Sequence, residues 1–303
     1  MTLWKHYFTP KTVDEALALL AEHQGNARVI AGGTDLLIDL RAEGGEPQEA
    51  LVDITSIEEL THLTVDGDLA RIGAGVTHSQ IVKSGAIGAR ATCLAESCGV
   101  VGGPQVRNVA TLGGNVAHAL PAGDGTTSLV ALLAEAEVVL DGVRQWMPIH
   151  ALYKGAGKSL LDSRRDILLG FRVPLTQAAQ GSAFSRIMRP QGVALPILGC
   201  AVWVKLDDSR THYRQARICI APVAPTPTRA EAVEAFLVGQ PANEDTLDQA
   251  VSIALETLHP RASKYRATAE YRHEMIAVLL RRTLPKASQR AMHGEAIPEG
   301  IGA

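Results

Sequence analysis

Residues 29–41 read VIAGGTDLLIDLR: an apolar run, two adjacent glycines and a second apolar run. A glycine pair leaves backbone N–H groups bare, because no Cβ holds a ligand away and a positive φ angle costs nothing. Thr34 adds a hydroxyl donor directly after the pair. The stretch therefore predicts a strand that ends in a turn able to hold a phosphate group.

A second stretch, TLGGN at residues 111–115, repeats this chemistry, with a glycine pair between a hydroxyl and a side-chain amide. Asp124 ends the following AHALPAGD, where its carboxylate could accept hydrogen bonds from sugar hydroxyls. Two such loops in one domain suit a dinucleotide with a diphosphate in its middle. For either loop alone, the alternative is a tight turn without a ligand.

The common nucleotide-binding signatures are absent from the sequence. No G-x-G-x-x-G motif follows an apolar run, which argues against a Rossmann site. LYKGAGKS, residues 152–159, ends like a P-loop, but Leu152 stands where the first glycine should be. A dinucleotide would therefore be held in a different kind of fold.

Composition sets the broad class. The chain has 303 residues, of which 46% are hydrophobic and 20% charged, enough for a large core and two domains. A net charge of -3 offers no basic field for nucleic acid and no cationic face for a membrane. No apolar stretch is long enough to span a bilayer and the first ten residues lack a secretory pattern. We therefore expect a cytoplasmic protein.

The cysteines indicate no metal site within the chain. Cys93, Cys98, Cys200 and Cys219 contain no Cys-x-x-Cys pair, which argues against a zinc ribbon or a self-contained iron–sulfur cluster. Buried, reduced thiols are expected. Only Cys93 and Cys98 are close enough in sequence to leave a redox or ligand role open.

Local signals predict a mixed α and β chain. Thr12 with Glu15, Thr77 with Gln80 and Thr228 with Glu231 have the spacing of capping boxes at helix starts. Asp141-Gly142 predicts a β-hairpin, and DILLGFRVP predicts a strand. TQAAQGS, residues 176–182, is polar and unpatterned, and we place the domain boundary there. Residues 285–303 lack periodicity, which predicts a tail that frays or lies along a partner.

Three consecutive motifs carry a resemblance. VIAGGTDLL, IGAGVTHSQI and PQVRNVATLGGNVAHALPAGD resemble the motifs of the FAD-binding medium subunits of molybdenum hydroxylases, the family of xanthine dehydrogenase and carbon monoxide dehydrogenase. Further similarity extends to about Leu284. The resemblance implies an α+β fold: a vanillyl-alcohol-oxidase/PCMH-like FAD-binding domain of two subdomains over residues 1–176. A smaller α+β domain of the carbon monoxide dehydrogenase flavoprotein type would cover 182–285, with a flexible tail at 286–303.

The resemblance also implies which residues bind FAD. The two glycine loops would bracket its diphosphate, Asp124 would lie near its sugar and ribityl hydroxyls, and Val101 and Leu168 would line the flavin. Thr77 and His78 fall in a loop near the cofactor. The full set of cofactor-binding candidates is Ala31, Gly32, Gly33, Thr34, Asp35, Leu36, Thr77, His78, Val101, Gly102, Thr111, Gly113, Gly114, Asn115, Asp124, Leu168 and Ser185. No catalytic residue and no metal ligand is expected.

Three neighbouring features leave alternatives open. His78 is more typical of a hydrogen-bonded core or surface group than of an acid–base catalyst. Arg107 could pair with phosphate or anchor its loop to a carboxylate. Many relatives carry a lysine where this chain has SAFSRIMRPQG, with Ser185 and Arg186, and this departure leaves the electron acceptor open.

The implied function is electron transfer within a complex. Substrate would be oxidised at a molybdenum cofactor in a large subunit, and electrons would pass through [2Fe–2S] clusters of a small subunit to FAD and then to NAD, a quinone or another acceptor. The alternatives are a stand-alone flavin oxidoreductase and a docking subunit without cofactor. Intact AGGTD and TLGGN loops and Asp124 argue against the docking subunit. A bulky residue at Gly113 or Gly114 is expected to exclude FAD and leave the fold intact.

Overall fold

A parallel sheet forms the first subdomain. The computed structural model describes residues 2–189, 195–263 and 266–300. The strands are ordered β1-β3-β2 and are all parallel. The elements are β1 (Trp4–Phe8), α1 (Val13–Glu22), β2 (Ala27–Ile30), α2 (Leu36–Arg41) and β3 (Gln48–Asp53).

The second subdomain is an antiparallel sheet with the order β4-β5-β10-β6-β7. Six helices are inserted between its second and third strands in sequence, and they carry most of the candidate site. The strands of this sheet are β4 (Leu63–Asp66), β5 (Leu69–Gly73), β6 (Glu135–Leu140), β7 (Val143–Pro148) and β10 (Ile167–Pro174). Two short strands, β8 (Tyr153–Gly155) and β9 (Lys158–Ser159), pair with each other in a separate sheet. The helices are α3 (His78–Lys83), α4 (Gly85–Arg90), α5 (Thr92–Gly99), α6 (Pro104–Arg107), α7 (Leu112–Ala117) and α8 (Asp124–Ala131).

The C-terminal domain is a four-stranded antiparallel sheet covered by helices. Its elements are β11 (Gln180–Met188), β12 (Pro196–Leu206), β13 (Tyr213–Ala221), β14 (Thr228–Arg229), α9 (Glu231–Leu237), α10 (Glu244–Thr257) and α11 (Ala269–His293). Within the described residues, no helix is both long and apolar enough to cross a bilayer.

The C-terminal sheet is buried on both faces, which joins the two domains. Ala201 and Trp203 of β12 pack into the core of the second subdomain, against α5 and α8. Cys200 and Val202, between and beside them, pack into the core formed with α10 and α11. Successive side chains of a strand point to opposite faces, so one strand contributes to two cores.

Several local predictions are confirmed. Thr77 and Gln80 form the capping box at the start of α3, and Asp141 and Gly142 turn the β6–β7 hairpin with φ angles of 49° and 79°. The cysteines are free and buried. The box at Thr12 is only half formed, because the Glu15 carboxylate accepts from Lys11 N at 2.7 Å instead of from the capping residue.

Two predictions are wrong. Thr228 pairs with Ile220 in β14, and the cap of α9 is Ala230, so Thr228 and Glu231 form no capping box. The segment from residue 285 is not aperiodic, because α11 continues through Pro285 to His293. Buried Arg290 holds this last turn: it donates to Glu96 Oε1 at 2.6 Å and to the Ser182 carbonyl at 2.8 Å.

Candidate functional site

The first glycine loop joins β2 to α2. Gly33 has a φ angle of 67°, which an L-residue rarely adopts, so the turn requires glycine there. Gly32 lies so close to the chain at Val109 that an added Cβ would collide with the Val109 carbonyl oxygen. The two glycines therefore have different roles. Gly33 makes the turn, and Gly32 lets this loop pack closely against the segment that leads to the second loop.

The second glycine loop caps α7. Thr111 Oγ1 accepts a hydrogen bond from Gly114 N at 2.9 Å. A Cβ added to Gly113 would lie 2.5 Å from the carbonyl oxygen of Ala74, whereas one added to Gly114 would meet only Thr111 Oγ1, at 3.2 Å. The expectation that a bulky residue leaves the fold intact is therefore wrong for Gly113 and suits Gly114. At Gly114, an added side chain would project into open space.

The loop at Thr77 and His78 lies beside the second glycine loop. Thr77 forms an isolated β-bridge with Thr111, and His78 N donates to the Ala110 carbonyl at 3.1 Å. Three segments that are distant in sequence therefore meet: 31–35, 76–78 and 109–115. Leu36 begins α2 directly after the first loop. Oδ1 of the exposed Asp35 lies 3.9 Å from Nε2 of His118, just beyond the second loop.

His78 is a buried neutral imidazole. Only 1% of the residue is exposed, and its Nδ1 has no hydrogen-bond partner in the described part of the chain. Burial, and then the nearby Arg107 charge, lower the pKa of His78 to about 4. At neutral pH the ring is therefore uncharged, with one nitrogen that the protein does not satisfy. Of the two sequence interpretations, the structure favours the core histidine.

Arg107 fixes the loop at Val101 and Gly102. Its Nη1 donates to the Gly102 carbonyl at 2.8 Å and to the Val101 carbonyl at 3.3 Å. The anchor is thus a pair of backbone carbonyls instead of the carboxylate or phosphate that the sequence suggests. Gly102 has a φ angle of 50°, so this turn also requires a residue that tolerates left-handed backbone.

Asp124 and Asn115 present unsatisfied acceptors side by side. Asp124 begins α8 and is buried, its Oδ2 accepting from Arg186 Nη1 at 2.8 Å. Asp124 Oδ1 and Asn115 Oδ1 are both buried with no partner among the described residues. A Cβ added to Gly123 or Gly125 would lie 3.1 Å from Asn115 Oδ1, so the amide lies against the start of α8. Buried polar atoms in native proteins are normally paired, so orphaned acceptors indicate a missing donor.

The remaining two candidates differ in placement. Leu168 is buried in β10, in the same apolar core as Ala74 of the β5–α3 connection. Ser185 pairs with Cys200, on the face of the sheet that packs against α10 and α11. Its neighbour Arg186 lies on the opposite face and reaches Asp124. The structure therefore brings Arg186, and not Ser185, to the site from the C-terminal domain.

Comparison with known protein families matches this architecture along most of the chain. The family described as FAD binding domain in molybdopterin dehydrogenase matches residues 3–176, and the CO dehydrogenase flavoprotein C-terminal domain matches residues 182–287. The chain belongs to this family. It is an FAD-binding medium subunit of the molybdenum hydroxylase type, with the α+β fold that the resemblance implies.

Individual relatives of this medium-subunit family are similar over almost their whole length. The carbon monoxide dehydrogenase medium chain of Hydrogenophaga pseudoflava is 31% identical, with 94% of this chain and 97% of the relative covered. The xanthine dehydrogenase FAD-binding subunit of Escherichia coli O157:H7 is 30% identical, with 93% and 95% covered. A solved carbon monoxide dehydrogenase from Hydrogenophaga pseudoflava superposes with a TM-score of 0.86 at 30% identity, covering 94% and 97% of the two chains.

Proposed function

We propose that this cytoplasmic chain is the electron-exit subunit of a molybdenum hydroxylase complex. Electrons arrive from [2Fe–2S] clusters of a small partner subunit, pass to FAD held here, and leave to an external acceptor such as NAD or a quinone. A large partner subunit oxidises the substrate at a molybdenum cofactor. Two relatives are named as a medium chain and an FAD-binding subunit, which supports a multisubunit assembly.

One observation carries the proposal. The open space beside Gly114 and the orphaned oxygens of Asn115 and Asp124 lie in neighbouring turns of residues 111–125. The sugar hydroxyls of a dinucleotide supply the donors that orphaned carboxylate and amide oxygens need, and its diphosphate fits beside a glycine that carries no Cβ. The chemistry of the residues therefore fits FAD.

The residues have separate tasks in holding that ligand. The loops at Gly33 and Gly114 would meet the diphosphate, and Asp124 and Asn115 would accept from hydroxyls of the sugar and ribityl parts. Bound FAD would join one-electron donors to a two-electron acceptor, since a flavin accepts electrons singly and can return them as a pair. Leu168, in the apolar core beside the loops, would exclude water. Electron transfer needs no general base, in keeping with a neutral His78.

The first test is a visible absorption spectrum of the purified chain, followed by heat release and identification of the coloured ligand. We expect released FAD at one equivalent. Gly114→Val should lose FAD and keep its circular dichroism spectrum, because its Cβ would project into the space assigned to the ligand. Gly85→Val is the matched control, since Gly85 also lies in the first turn of a six-residue helix and has open space where its Cβ would lie.

The second test concerns the partners. The complex that contains this chain, purified from its native host, should hold molybdenum and iron in stoichiometric amounts. A monomer that oxidises a substrate alone would contradict the proposal and favour a stand-alone flavin oxidoreductase. A colourless chain that also fails to bind added FAD would favour a docking subunit.

A further inference from the structure

An ion pair links the two domains at the edge of the candidate site. Arg186, on β11, donates from Nη1 to Asp124 Oδ2 over 2.8 Å. Both side chains are more than nine-tenths buried, with 9% and 6% of their areas exposed. The other terminal nitrogen of the guanidinium, Nη2, donates to the Met188 sulfur at 3.2 Å. Contacts within the chain thus fix both terminal nitrogens of the Arg186 guanidinium.

The pair leaves one oxygen of the carboxylate available. Asp124 Oδ1 is buried and lacks a hydrogen-bond partner within the part of the chain that the structure describes. Since the guanidinium occupies Oδ2, rotation of the carboxylate would break a charged hydrogen bond in a buried place, which is costly. Arg186 therefore fixes the orientation of the Asp124 carboxylate, with one oxygen bound to the guanidinium and the other available to a donor from outside the chain.

Three elements bring charged or titratable groups to Asp124. The Arg186 guanidinium faces it from β11, the Arg266 guanidinium from the segment before α11, and the Cys98 thiol from α5. Burial raises the pKa of Asp124 to about 6, and Arg186, followed by Arg266, opposes a further rise. Burial also raises the pKa of Cys98, so this thiol stays uncharged at neutral pH. The carboxylate is thus ionised at pH 7 by a narrow margin that depends chiefly on Arg186.

We propose that Arg186 is a positioning residue for the cofactor: it keeps Asp124 ionised and turns Oδ1 toward a hydroxyl of the bound FAD. The C-terminal domain thereby contributes to a binding site whose glycine loops and orphaned acceptors lie before residue 176. This inference rests on the proposed function, because it assigns Asp124 to the FAD site. It predicts a specific pH dependence, which a purely structural ion pair would not produce.

The test measures FAD affinity of the apoprotein by fluorescence titration as a function of pH. Wild-type affinity should fall below about pH 6, where Asp124 takes up a proton. Arg186→Gln should weaken binding at pH 7 by roughly 10- to 100-fold, the worth of a hydrogen bond to a charged group. Most of this loss should be recovered toward about pH 9, because the unpaired carboxyl then ionises without its cation. Arg186→Lys keeps the charge and should keep the wild-type midpoint.

Controls separate positioning from folding. Arg189→Gln removes the same charge from an exposed arginine whose hydrogen bond, 3.4 Å long, goes to the Arg266 carbonyl, and its pH profile should match the wild type. Asp124→Asn should bind weakly with no dependence on pH in this range. The double variant Asp124→Asn with Arg186→Gln should bind no more weakly than Asp124→Asn alone. Circular dichroism and the unfolding midpoint of each apoprotein confirm that it is folded.

The outcomes distinguish the inference from the proposed function. Wild-type protein that does not bind FAD would overturn both. Wild-type protein that binds FAD, with Arg186→Gln either unchanged or weakened equally at every pH, would overturn the positioning role alone. If Arg186→Gln does not fold, the midpoint of Arg186→Lys decides: a midpoint equal to that of the wild type supports the role, and loss of the pH dependence contradicts it.

Discussion

Replacing Arg290 with Met should destabilise the protein strongly. The guanidinium donates to both oxygens of Glu96, at 2.6 and 3.2 Å, and to the carbonyls of Ser182 and Ile297, at 2.8 and 2.7 Å. The side chains of the ion pair are 6% and 2% exposed. Removing one partner of a buried pair leaves an uncompensated charge and costs about 3–5 kcal/mol. The two N–H donors that remain to Glu96, from Phe184 and Glu299, soften this loss without replacing a cation.

The expected shift in melting temperature follows from the size of the chain. At about 2.1 cal/mol/K per residue, 303 residues give an unfolding entropy of roughly 0.6 kcal/mol/K. A loss of 3–5 kcal/mol then lowers the midpoint by about 5–8 °C if the domains unfold together. Differential scanning calorimetry measures both the midpoint and whether one or two transitions occur.

Two comparisons test the reasoning. Arg281→Met removes an exposed arginine of the same helix that pairs with exposed Asp248, and should cost at most about 1 kcal/mol. Adding Glu96→Gln to Arg290→Met removes the unpaired charge and should restore much of the lost stability. An entropy of roughly 0.6 kcal/mol/K makes 1 °C correspond to about 0.6 kcal/mol. An Arg290→Met midpoint within about 1 °C of the wild type would therefore refute the claim that this buried pair stabilises the protein strongly.

Three further outcomes are expected. His78→Gln should reduce the loss of stability that the wild type shows as pH falls from about 6.5 to 4. In the wild type, the His78 imidazole takes up a proton over this range in the unfolded chain but stays neutral in the folded protein. Urea unfolding at several pH values measures the difference. Gly113→Ala should lower the melting temperature more than Gly114→Ala, since only the former collides with the Ala74 backbone; equal losses would contradict this packing. Asp124→Ala should weaken FAD retention during gel filtration, and unaltered affinity would mean that the carboxylate serves only the chain itself.

Local signals in the sequence predict the structure correctly where the contacts that form are themselves local. The Asp141-Gly142 hairpin and the box of Thr77 with Gln80 depend on residues next to each other in the chain. Thr228 has the same local pattern, but pairing with β13 takes it into a strand. Strand pairing with Ile220 thus overrides a capping preference worth about 1 kcal/mol.

The contribution of the C-terminal domain to the site could not be read from the sequence. Arg186 is 62 residues from Asp124, and no local spacing indicates the pair. Alternation along β11 would have separated Arg186 from Ser185 if one face of the sheet were solvated. Because both faces are covered, the strand mixes small, polar and apolar residues on each side, and its pattern does not show which residues face the first domain. The role of Arg290 could not be predicted for the same reason, because its partner Glu96 lies 194 residues earlier.

This separation sets an order of events during synthesis. Glu96 leaves the ribosome long before Arg290, by roughly 10–40 s at 5–20 residues per second, and until then its carboxylate lacks the cation that it pairs with in the folded protein. Helix α5, which carries Glu96 and runs into the loop at Val101, therefore completes its packing only when nearly the last turn of the protein has been made. A chain interrupted before α11 lacks the cation that pairs with Glu96 in the folded protein, so we expect such truncated products to be unstable and open to proteolysis.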